Sequence, residues 1–378
     1  MRKILIVFYG DHLPYSPSTL SIFYFLKREG YLVNILANSP NSNYSSQKIE
    51  DESILYISTS NLRLSFIKTL VIVLLKLLNK LFRRSRGDEW VLNTPIDSVY
   101  IKNIKKQNPD VIIAVDFFSL WCVQQLKRES HLLSLQIEDD VYYKRCKVNL
   151  IKSVIIQSKE RYDYLFDGNL KPPIFIFPNS QAYLDFVPPY EERNQYSLVY
   201  SGSALIDFGI FSCLDFLVDY EDYSLTIKGS VPLATKLGIE KFYNELLVQK
   251  RLIIDETYLS AEELTRYLSR FRIGFAFYDF YRFTNLRNFN YYTAPSGKMY
   301  QYFNSGVPVI GNAHSGFSIV IEKGAGEIVG SLGSYSIKKA IDTIEHNYLA
   351  IARSAKEASK EFDLDKYLKK IPDTLINE

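Results

Sequence analysis

Cysteine is scarce in this sequence of 378 residues, and the few cysteines lie far apart. Cys122, Cys146 and Cys213 form no C-x-x-C pair, so neither a disulfide framework nor a cysteine zinc site is predicted. An acidic triplet at 138–140 is typical of metal ligands, but no partner ligands accompany it and no bound metal is expected. A reducing, cytoplasmic setting fits this composition.

An apolar run long enough to cross a bilayer is also missing. The amino-terminal MRKILIVFYG has too short an apolar core for a signal peptide, and we interpret it as a buried strand. In the most hydrophobic segment, 62–84, Lys68 and Lys76 leave seven uncharged residues between them, whereas a membrane span needs about 20.

Acidic residues are absent between Asn61 and Arg86, a stretch that holds seven basic ones. On a helical wheel most polar side chains of 62–84 fall within about one third of the circumference, and the rest is mainly Leu, Val, Ile and Phe. A purely basic polar arc beside so wide an apolar face predicts a helix lying on an anionic membrane. The alternative is a core-facing helix with a solvated stripe. Because the basic excess is confined to one segment, nucleic-acid binding is not predicted.

A G-x-G-x-x-G dinucleotide fingerprint is missing too, although short apolar strands alternate with helical stretches along the chain. That alternation predicts an α/β fold with parallel, doubly wound sheets. A polar stretch with a Pro-Pro pair, Asp185 to Tyr196, is the expected linker. We therefore predict two Rossmann-like domains, 1–185 and 186–355, and a C-terminal helix at 356–378 that packs on the first domain.

Polar residues follow two predicted strands of the first domain, at the ends where parallel sheets bind ligands. Asp11 and His12 come after the first strand, and Asp116 comes after the strand at 109–115. These side chains are candidates for acid–base chemistry. A structural role at the strand end is the alternative for each of them.

In the second half, TAPSGKMYQYFNSGVPVI predicts a helix, a tight stop and a buried strand. Ser296 and Gly297 are expected to open the helix, so that bare backbone N–H groups and the positive end of the helix dipole are presented there. Lys298 and Gln301 share one face, and Gly306 is expected just past the helix end in a left-handed conformation. The pattern indicates an anion site at the helix start, and an ordinary crossover helix is the alternative.

Four signals follow one another in the second half in the order YSGS, TIKGS, YLSAEELTRYLSRFRIGFAFY and PSGKMYQYFNSGVPVI. In this order they resemble the donor-binding domain of GT-B glycosyltransferases, particularly the family 4-like group. In the first half, SVIIQSKERYDYLF resembles a strand-to-helix turn of that family and IFPNS its Pro-Asn turn. The resemblance covers most of the chain and implies two Rossmann-like domains that face a cleft.

The resemblance also implies where a nucleotide-sugar donor binds. It places the diphosphate at the backbone N–H groups of Ser296 and Gly297, close to Lys298. Gln301 stands where the family has a glutamate that holds the ribose hydroxyls, and Thr293 stands where it has an earlier acid. The other implied donor-binding residues line the phosphates or meet the base; they are Gly202, Ser203, Lys228, Gly229, Tyr258 and Leu259.

We therefore expect a glycosyltransferase that needs neither a metal nor another cofactor. It would move a sugar from a nucleotide-sugar donor to a hydroxyl of a lipid-linked or growing surface glycan, such as a capsule or O-antigen. Asp116, Asp11 and His12 would face the cleft as candidate catalytic bases. Segment 62–84 would hold this cytoplasmic protein peripherally on the inner face of the cell membrane. Two alternatives remain: a nucleotide-sugar epimerase of the same fold, and a non-catalytic subunit that has lost the two acids of the family.

Overall fold

The structure is a computed structural model that describes residues 2–40, 48–57, 95–135, 145–166, 171–279, 293 and 295–375. The predicted membrane segment at 62–84 and the acidic triplet at 138–140 lie outside the described residues. The described chain divides into two compact units. The first extends to Phe177 and includes the short helix Ile371–Leu375, and the second is Pro178–Lys369.

The first unit is built from parallel strands with helices between them. Its elements in chain order are β1 (Lys3–Phe8), α1 (Pro17–Arg28), β2 (Leu32–Asn38), β3 (Ile54–Ile57), α2 (Pro95–Gln107), β4 (Val111–Val115), α3 (Asp116–Gln124), β5 (Ser130–Ser134), β6 (Ile151–Ile156), α4 (Lys159–Leu165) and β7 (Ile174–Ile176). Within the described residues the strand order is β3-β2-β1-β4-β5-β6-β7, so the order reverses direction between β1 and β4. The carboxyl ends of these two strands are paired through Phe8 and Val115.

The second unit repeats this plan with a second parallel sheet. Its elements are β8 (Ser197–Ser201), α5 (Ile210–Asp219), β9 (Ser224–Lys228), α6 (Leu233–Phe242), α7 (Asn244–Val248), β10 (Leu252–Asp255), α8 (Ala261–Leu268), β11 (Ile273–Ala276), α9 (Gly297–Asn304), β12 (Val309–Asn312), α10 (Ser318–Glu322), β13 (Gly326–Val329), α11 (Ser334–His346), α12 (Tyr348–Glu361) and α13 (Leu364–Leu368). The remaining helix, Ile371–Leu375, is α14. The described strands have the order β10-β9-β8-β11-β12-β13, which reverses direction between β8 and β11.

These two sheets confirm the predicted α/β fold with two doubly wound domains. Strand β4 is buried at every position and β1 at every position after its first, which explains why both appear in the sequence as continuous apolar runs. Strands β3 and β13 were not predicted. Each has only four residues with buried ends and a half-buried middle, so neither shows a clear run or a clear alternation.

The stretch expected to be the linker, Asp185 to Tyr196, packs within the second unit instead. The units divide after Phe177, ahead of the predicted boundary at 185. The backbone N–H groups of Tyr183 and Leu184 already donate to Asp363 and Asn304 of the second unit. Likewise α12 and α13 belong to the second unit, and of the described helices in 356–378 only α14 groups with the first.

Candidate functional site

Helix α9 is fastened to the second sheet at the place where the strand order reverses. Strands β8 and β11 pair only near their amino ends. Further along the two strands, the hydroxyl of the fully buried Tyr302 of α9 lies between them. Its Oη accepts a bond of 2.8 Å from the backbone N–H of Ser201 and donates one of 3.1 Å to the carbonyl of Phe275. A Cβ on Gly274 would lie 2.7 Å from the Tyr302 ring, so a glycine is needed for the ring to lie on the sheet. The start of α9 is thereby fixed beside the carboxyl end of β8.

Two glycine turns follow β8 and β9 and approach each other closely. Gly202 has φ +97° and donates its N–H to the carbonyl of Lys228 at 2.8 Å. Gly229 has φ +140°, and a Cβ there would be 2.3 Å from the carbonyl oxygen of Gly202. Both positions therefore require glycine, and the two turns expose backbone rather than side chains at the end of the sheet.

Lys298, in the first turn of α9, is the cation that adjoins these turns. Its Cε is 3.5 Å from where a Cβ on Gly202 would be. Its Nζ lies 4.9 Å from the centre of the Tyr200 ring and 4.7 Å from that of Phe208. Among the described residues it has neither an ion pair nor a hydrogen bond. Burial lowers the pKa of Lys298 from its ordinary value of 10.5 to about 8.

The amino end of α9 has the predicted opening. Ser296 is the N-cap in an extended conformation, and its side chain makes no capping hydrogen bond to the first turn. A Cβ on Gly297 would be 3.1 Å from Nδ2 of Asn179, which donates to the carbonyl of Pro295 at 3.4 Å. The first-turn N–H groups are thus left without a side-chain cap beside a lysine that lacks a carboxylate, an arrangement that suits an anion.

Gln301 is held by a serine at the end of β8. The buried Ser201 donates its hydroxyl to Oε1 of Gln301 at 2.8 Å. Within the described residues Nε2 of Gln301 has no hydrogen-bond partner. Since Oε1 is already turned toward Ser201, the amide presents N–H donors to the site rather than a carbonyl acceptor. Sequence reasoning had placed Gln301 here but not Ser201.

Lys228 has a different environment from the one expected of a phosphate ligand. It is buried, and its Nζ donates to Asp255 at 2.9 Å and to both the carbonyl and the hydroxyl of Thr257 at 2.7 Å. Burial acts to raise the pKa of Asp255, but the bonds from Lys228 and Thr257 outweigh it and hold that pKa well below its ordinary value. The three donors of Lys228 are therefore used to join the turns after β9 and β10. Of the two residues expected at the base, Tyr258 is 87% exposed and Leu259 is partly buried.

The carboxyl end of α9 is held by a buried arginine that sequence reasoning missed. Gly306 has the predicted left-handed conformation, with φ +61°. Arg193, 5% exposed, donates to the carbonyls of Gly306 at 2.7 Å and Ser305 at 3.0 Å. It also donates to the carbonyl of Ser269 just after α8, at 2.7 Å. Its position in a polar, Pro-rich stretch had indicated a solvated linker.

A second buried cation acts at the same end. Lys356 of α12 donates to the carbonyls of Leu184 and of Asn304, the latter at 2.8 Å. The Asn304 side chain in turn accepts from the Leu184 N–H at 3.0 Å. Burial lowers the pKa of Lys356 to about 8. No sequence signal could have identified it, because its partners are more than fifty residues away in the chain.

In the first unit, Asp11 and His12 lie at the carboxyl end of β1 as predicted. The carboxylate of Asp11 is 3.8 Å from Nδ1 of His12, and their side chains are 34% and 45% exposed. The His12 ring folds back over Gly10, where a Cβ would come within 2.6 Å of it. The pair is therefore accessible and positioned by a turn that needs glycine.

Asp116 begins α3 directly after β4, next to β1 in the sheet. It has φ +58°, a conformation that is uncommon for a residue with a side chain. Its Oδ1 accepts the N–H of Leu135 at 2.8 Å, which ties the end of β4 to the end of β5. At least one carboxylate oxygen of Asp116 is therefore used in a structural hydrogen bond.

Two further properties concern metals and membranes. Within the described ranges, no group of three or more His, Cys, Asp or Glu side chains is arranged to hold a metal ion. None of the helices in the described part of the chain combines the length and the apolar character needed to cross a bilayer.

Comparison with solved structures relates the chain to proteins with the GT-B fold. A sucrose-phosphate synthase from Thermosynechococcus elongatus aligns with a TM-score of 0.67 at 14% identity, over 99% of this chain and 98% of the other. The Anabaena protein HepE in complex with UDP-glucose aligns with a TM-score of 0.68 at 11% identity, over 99% of both chains. WaaG, a glycosyltransferase involved in lipopolysaccharide biosynthesis, aligns with a TM-score of 0.63 at 12% identity, over 99% of this chain and 100% of WaaG.

No protein-family model matches the chain, and no curated protein matches it in sequence. At identities this low, the structural likeness concerns the fold. It confirms that the resemblance to GT-B glycosyltransferases, inferred from the order of four short signals, extends to the architecture of the whole chain.

Proposed function

We propose that this protein is a glycosyltransferase that uses a nucleotide-sugar donor and transfers the sugar to a hydroxyl of a lipid-linked or surface glycan. The proposal rests mainly on one observation: Lys298 adjoins two glycine turns and the uncapped start of α9, without an ion pair among the described residues. A buried cation with no ion pair among the described residues is suited to an anionic ligand. UDP-glucose in the similar HepE structure supports a nucleoside diphosphate as that ligand.

In this proposal the diphosphate of the donor lies at the start of α9. The backbone N–H groups of Ser296 and Gly297 would donate to its oxygens, and Lys298 would neutralise part of its charge. The glycines at 202 and 229 leave room for the phosphates to approach the backbone. Negative charge grows on the departing diphosphate as the sugar leaves, so these groups would stabilise the transition state more than the bound donor.

Gln301 would meet the ribose of the donor. It lies four residues after Gly297 in α9, about 6 Å along the helix axis. Because Ser201 occupies its Oε1, Gln301 would donate from Nε2 to a ribose oxygen. Ser203, Tyr258 and Leu259 remain proposed contacts of the phosphates and the base. Lys228 would support the site indirectly, by joining the loops that carry these contacts.

The acceptor hydroxyl would lose its proton to a side chain of the first unit. The side chains of Asp11 and His12 are 34% and 45% exposed, and one oxygen of Asp116 accepts the Leu135 N–H. Carboxylate and imidazole side chains can both act as general bases. We propose the Asp11–His12 pair as the base and Asp116 as the second candidate.

Thermal unfolding with a panel of nucleotides tests donor binding. Uridine, guanosine, adenosine, cytidine and thymidine diphosphates are compared with the corresponding monophosphates and with UDP-glucose and related donors. At least one diphosphate is expected to stabilise the protein, by about 2.7 kcal/mol at one hundred times its Kd. Its monophosphate should stabilise less, because it cannot place a second phosphate at α9. If none of the diphosphates changes the unfolding temperature, the proposal is wrong.

Turnover of the stabilising donor separates transfer from the two alternatives. A glycosyltransferase releases nucleoside diphosphate and labels an acceptor when membrane glycans are supplied. An epimerase would change the sugar of the donor with no acceptor present. A non-catalytic subunit, which Gln301 and Thr293 in place of acids would favour, would bind the donor and leave it unchanged.

The lipid-linked acceptor and the place at the inner face of the cell membrane rest on the sequence of 62–84 alone. Flotation of the full-length protein with vesicles containing anionic lipid should recover it in the lipid fraction. Replacing Lys68, Lys76, Lys80 and Arg83 by glutamine should abolish that recovery, because the polar arc would lose its charge. Equal flotation of both forms would contradict this part of the proposal.

A further inference from the structure

An exposed aromatic ring stands at the carboxyl end of β1 in the first unit. Tyr9 is the first residue after this strand, and it is 39% exposed. Its ring lies on that of Phe118, with centroids 3.8 Å apart and an angle of 35° between the planes. Phe118 itself is only 7% exposed. One ring therefore supports the other from the protein side, and the tyrosine remains accessible to solvent.

The rings of Tyr9 and Phe118 are held in position by a third, buried ring. The buried Tyr100 meets Tyr9 edge-on at 5.8 Å and Phe118 edge-on at 6.0 Å. The hydroxyl of Tyr100 lies 2.7 Å from Oδ1 of Asn38 and 3.0 Å from the carbonyl oxygen of Phe8, and its single proton is donated to these acceptors. The tyrosine ring is consequently ordered before any ligand arrives, which reduces the entropy lost on binding.

A hydrogen bond also connects the chain at Tyr9 with the helix that carries Phe118. The N–H of Tyr9 donates to Oγ of the buried Ser119 at 3.1 Å. That bond joins the end of β1 to the first turn of α3, across the point where the strand order reverses. Ligands of doubly wound sheets bind at such a reversal. The rings therefore stand where a substrate of the first unit is expected.

Two polar side chains follow Tyr9 closely in the chain. Asp11 and His12 are two and three residues after Tyr9, on the same turn, and both are partly exposed. An ordered aromatic ring that is followed within three residues by hydrogen-bonding side chains offers both kinds of group that a pyranose needs. One face of the sugar offers C–H groups to the electron-rich face of an aromatic ring, and its rim of hydroxyls needs donors and acceptors.

We propose that Tyr9 and Phe118 form a platform that binds the sugar ring of the acceptor, so that the acceptor is a pyranoside. The terminal pyranose stacks on the exposed face of Tyr9, and its hydroxyl rim meets Asp11 and His12. Identifying this sugar as the acceptor rests on the proposed glycosyltransferase function, whereas the binding of a pyranose to Tyr9 does not.

Saturation-transfer difference NMR with the full-length protein tests the platform directly. The probes are the methyl α- and β-pyranosides of glucose, galactose, mannose and N-acetylglucosamine, with glycerol as a polyol that has no ring. At least one pyranoside should receive saturation at the C–H groups of one face, and glycerol should not. If no pyranoside in the panel binds the wild-type protein, the proposal is overturned.

Three variants assign the binding to the ring. Tyr9→Ala should weaken the pyranoside by roughly tenfold, the scale of one aromatic contact. Tyr9→Phe keeps the ring and should retain binding. Tyr24→Ala removes a tyrosine of similar exposure, 46%, on α1 and should have no effect. Equal affinity in Tyr9→Ala and the wild type, with both unfolding at the same temperature, would contradict the assignment.

The failure of this proposal can be distinguished from failure of the donor site. Tyr9→Ala should keep the wild-type response to the nucleoside diphosphate, because Tyr9 belongs to the first unit and Lys298 to the second. A pyranoside bound at Tyr9 with no nucleotide binding would overturn the proposed function and retain the platform. Nucleotide binding with no pyranoside at Tyr9 would overturn the platform and retain the proposed donor site.

Discussion

The buried cations at the two ends of helix α9 differ in whether they have hydrogen-bond acceptors. At the carboxyl end, Arg193 and Lys356 donate to backbone carbonyls and complement the negative end of the helix dipole. At the amino end, Lys298 sits near the positive end of the dipole and has neither an ion pair nor a hydrogen bond among the described residues. Burial lowers the pKa of Lys298 and of Lys356 to about 8 alike, so burial alone does not separate them.

The difference lies in what each cation does for the free protein. The two cations at the carboxyl end satisfy carbonyls that would otherwise be buried without partners, and they stabilise the fold. Lys298 is a positive charge near the positive end of the helix dipole, and among the described residues its Nζ lies over two aromatic rings. Its location is unfavourable for the helix alone and becomes favourable when an anion binds. Removing cations from the two ends should therefore have opposite consequences.

Arg193→Met should have the largest effect on stability. It leaves carbonyls at Ser269, Ser305 and Gly306 without their donor, and we expect a loss of about 3–5 kcal/mol in the free energy of unfolding. Chemical denaturation measures it. Arg353→Met, which changes an exposed arginine on α12, is the matched control and should lose little. Similar losses in both variants would show that Arg193 does not hold the end of α9.

Lys298→Met should have the next largest effect, on ligand affinity instead. The nucleoside diphosphate identified in the thermal panel should bind roughly 10- to 100-fold more weakly, because a hydrogen bond to a charged group contributes about 1.5–3 kcal/mol. Without ligand, the variant should be as stable as the wild type or more stable by up to about 1 kcal/mol. Lys356→Met should show the reverse pattern, with lower stability and unchanged intrinsic affinity. Calorimetric titration measures the affinity of both variants, and chemical unfolding measures their stability. If both variants changed affinity and stability in the same way, the two ends of α9 would not differ as proposed.

The pH dependence of diphosphate binding should be of intermediate size. Well below its pKa of about 8, Lys298 is protonated in the free protein, and its contribution to affinity is constant. Above pH 8 the free lysine loses its proton, whereas the bound diphosphate favours the charged form and raises its pKa. Binding then takes up a proton, and affinity should fall by up to roughly tenfold per pH unit.

Lys298→Arg is the comparison for this pH profile, because arginine stays charged over the same range. Titrations from pH 7 to 10 should give a falling ratio of wild-type to variant affinity above pH 8. Titration of the nucleotide itself is common to both proteins and cancels in that ratio. A constant ratio would mean that Lys298 does not contact the diphosphate as an ammonium.

Ser201→Ala should produce the smallest effect. Loss of the hydroxyl frees Oε1 of Gln301, so the amide is no longer held with its N–H groups toward the site, and diphosphate affinity should fall by about 1 kcal/mol. Ser197→Ala changes a serine at the other end of β8 and should leave affinity unchanged. An effect of Ser201→Ala on stability alone would limit Ser201 to a structural role.

The sequence by itself determined the local features. Apart from β3 and β13, the strands of both sheets are recognisable because buried parallel strands are continuous apolar runs. The start and stop of α9 follow from Ser296, Gly297 and Gly306 through backbone conformation. The order of four such signals, with two motifs of the first half, then carried the resemblance to GT-B glycosyltransferases. Each of these signals depends on residues that are neighbours in the chain.

Tertiary structure decided which charged residues stabilise the fold and which are left for a ligand. Lys228 and Lys298 look alike in sequence, each beside a glycine, yet the first has three acceptors and the second has none among the described residues. Arg193 and Lys356 become helix-end donors only when distant segments pack on α9. The role of a buried cation depends on the acceptors within about 3 Å of it. Those acceptors come from residues that are distant in the sequence, so the residues around the cation in the chain do not reveal them.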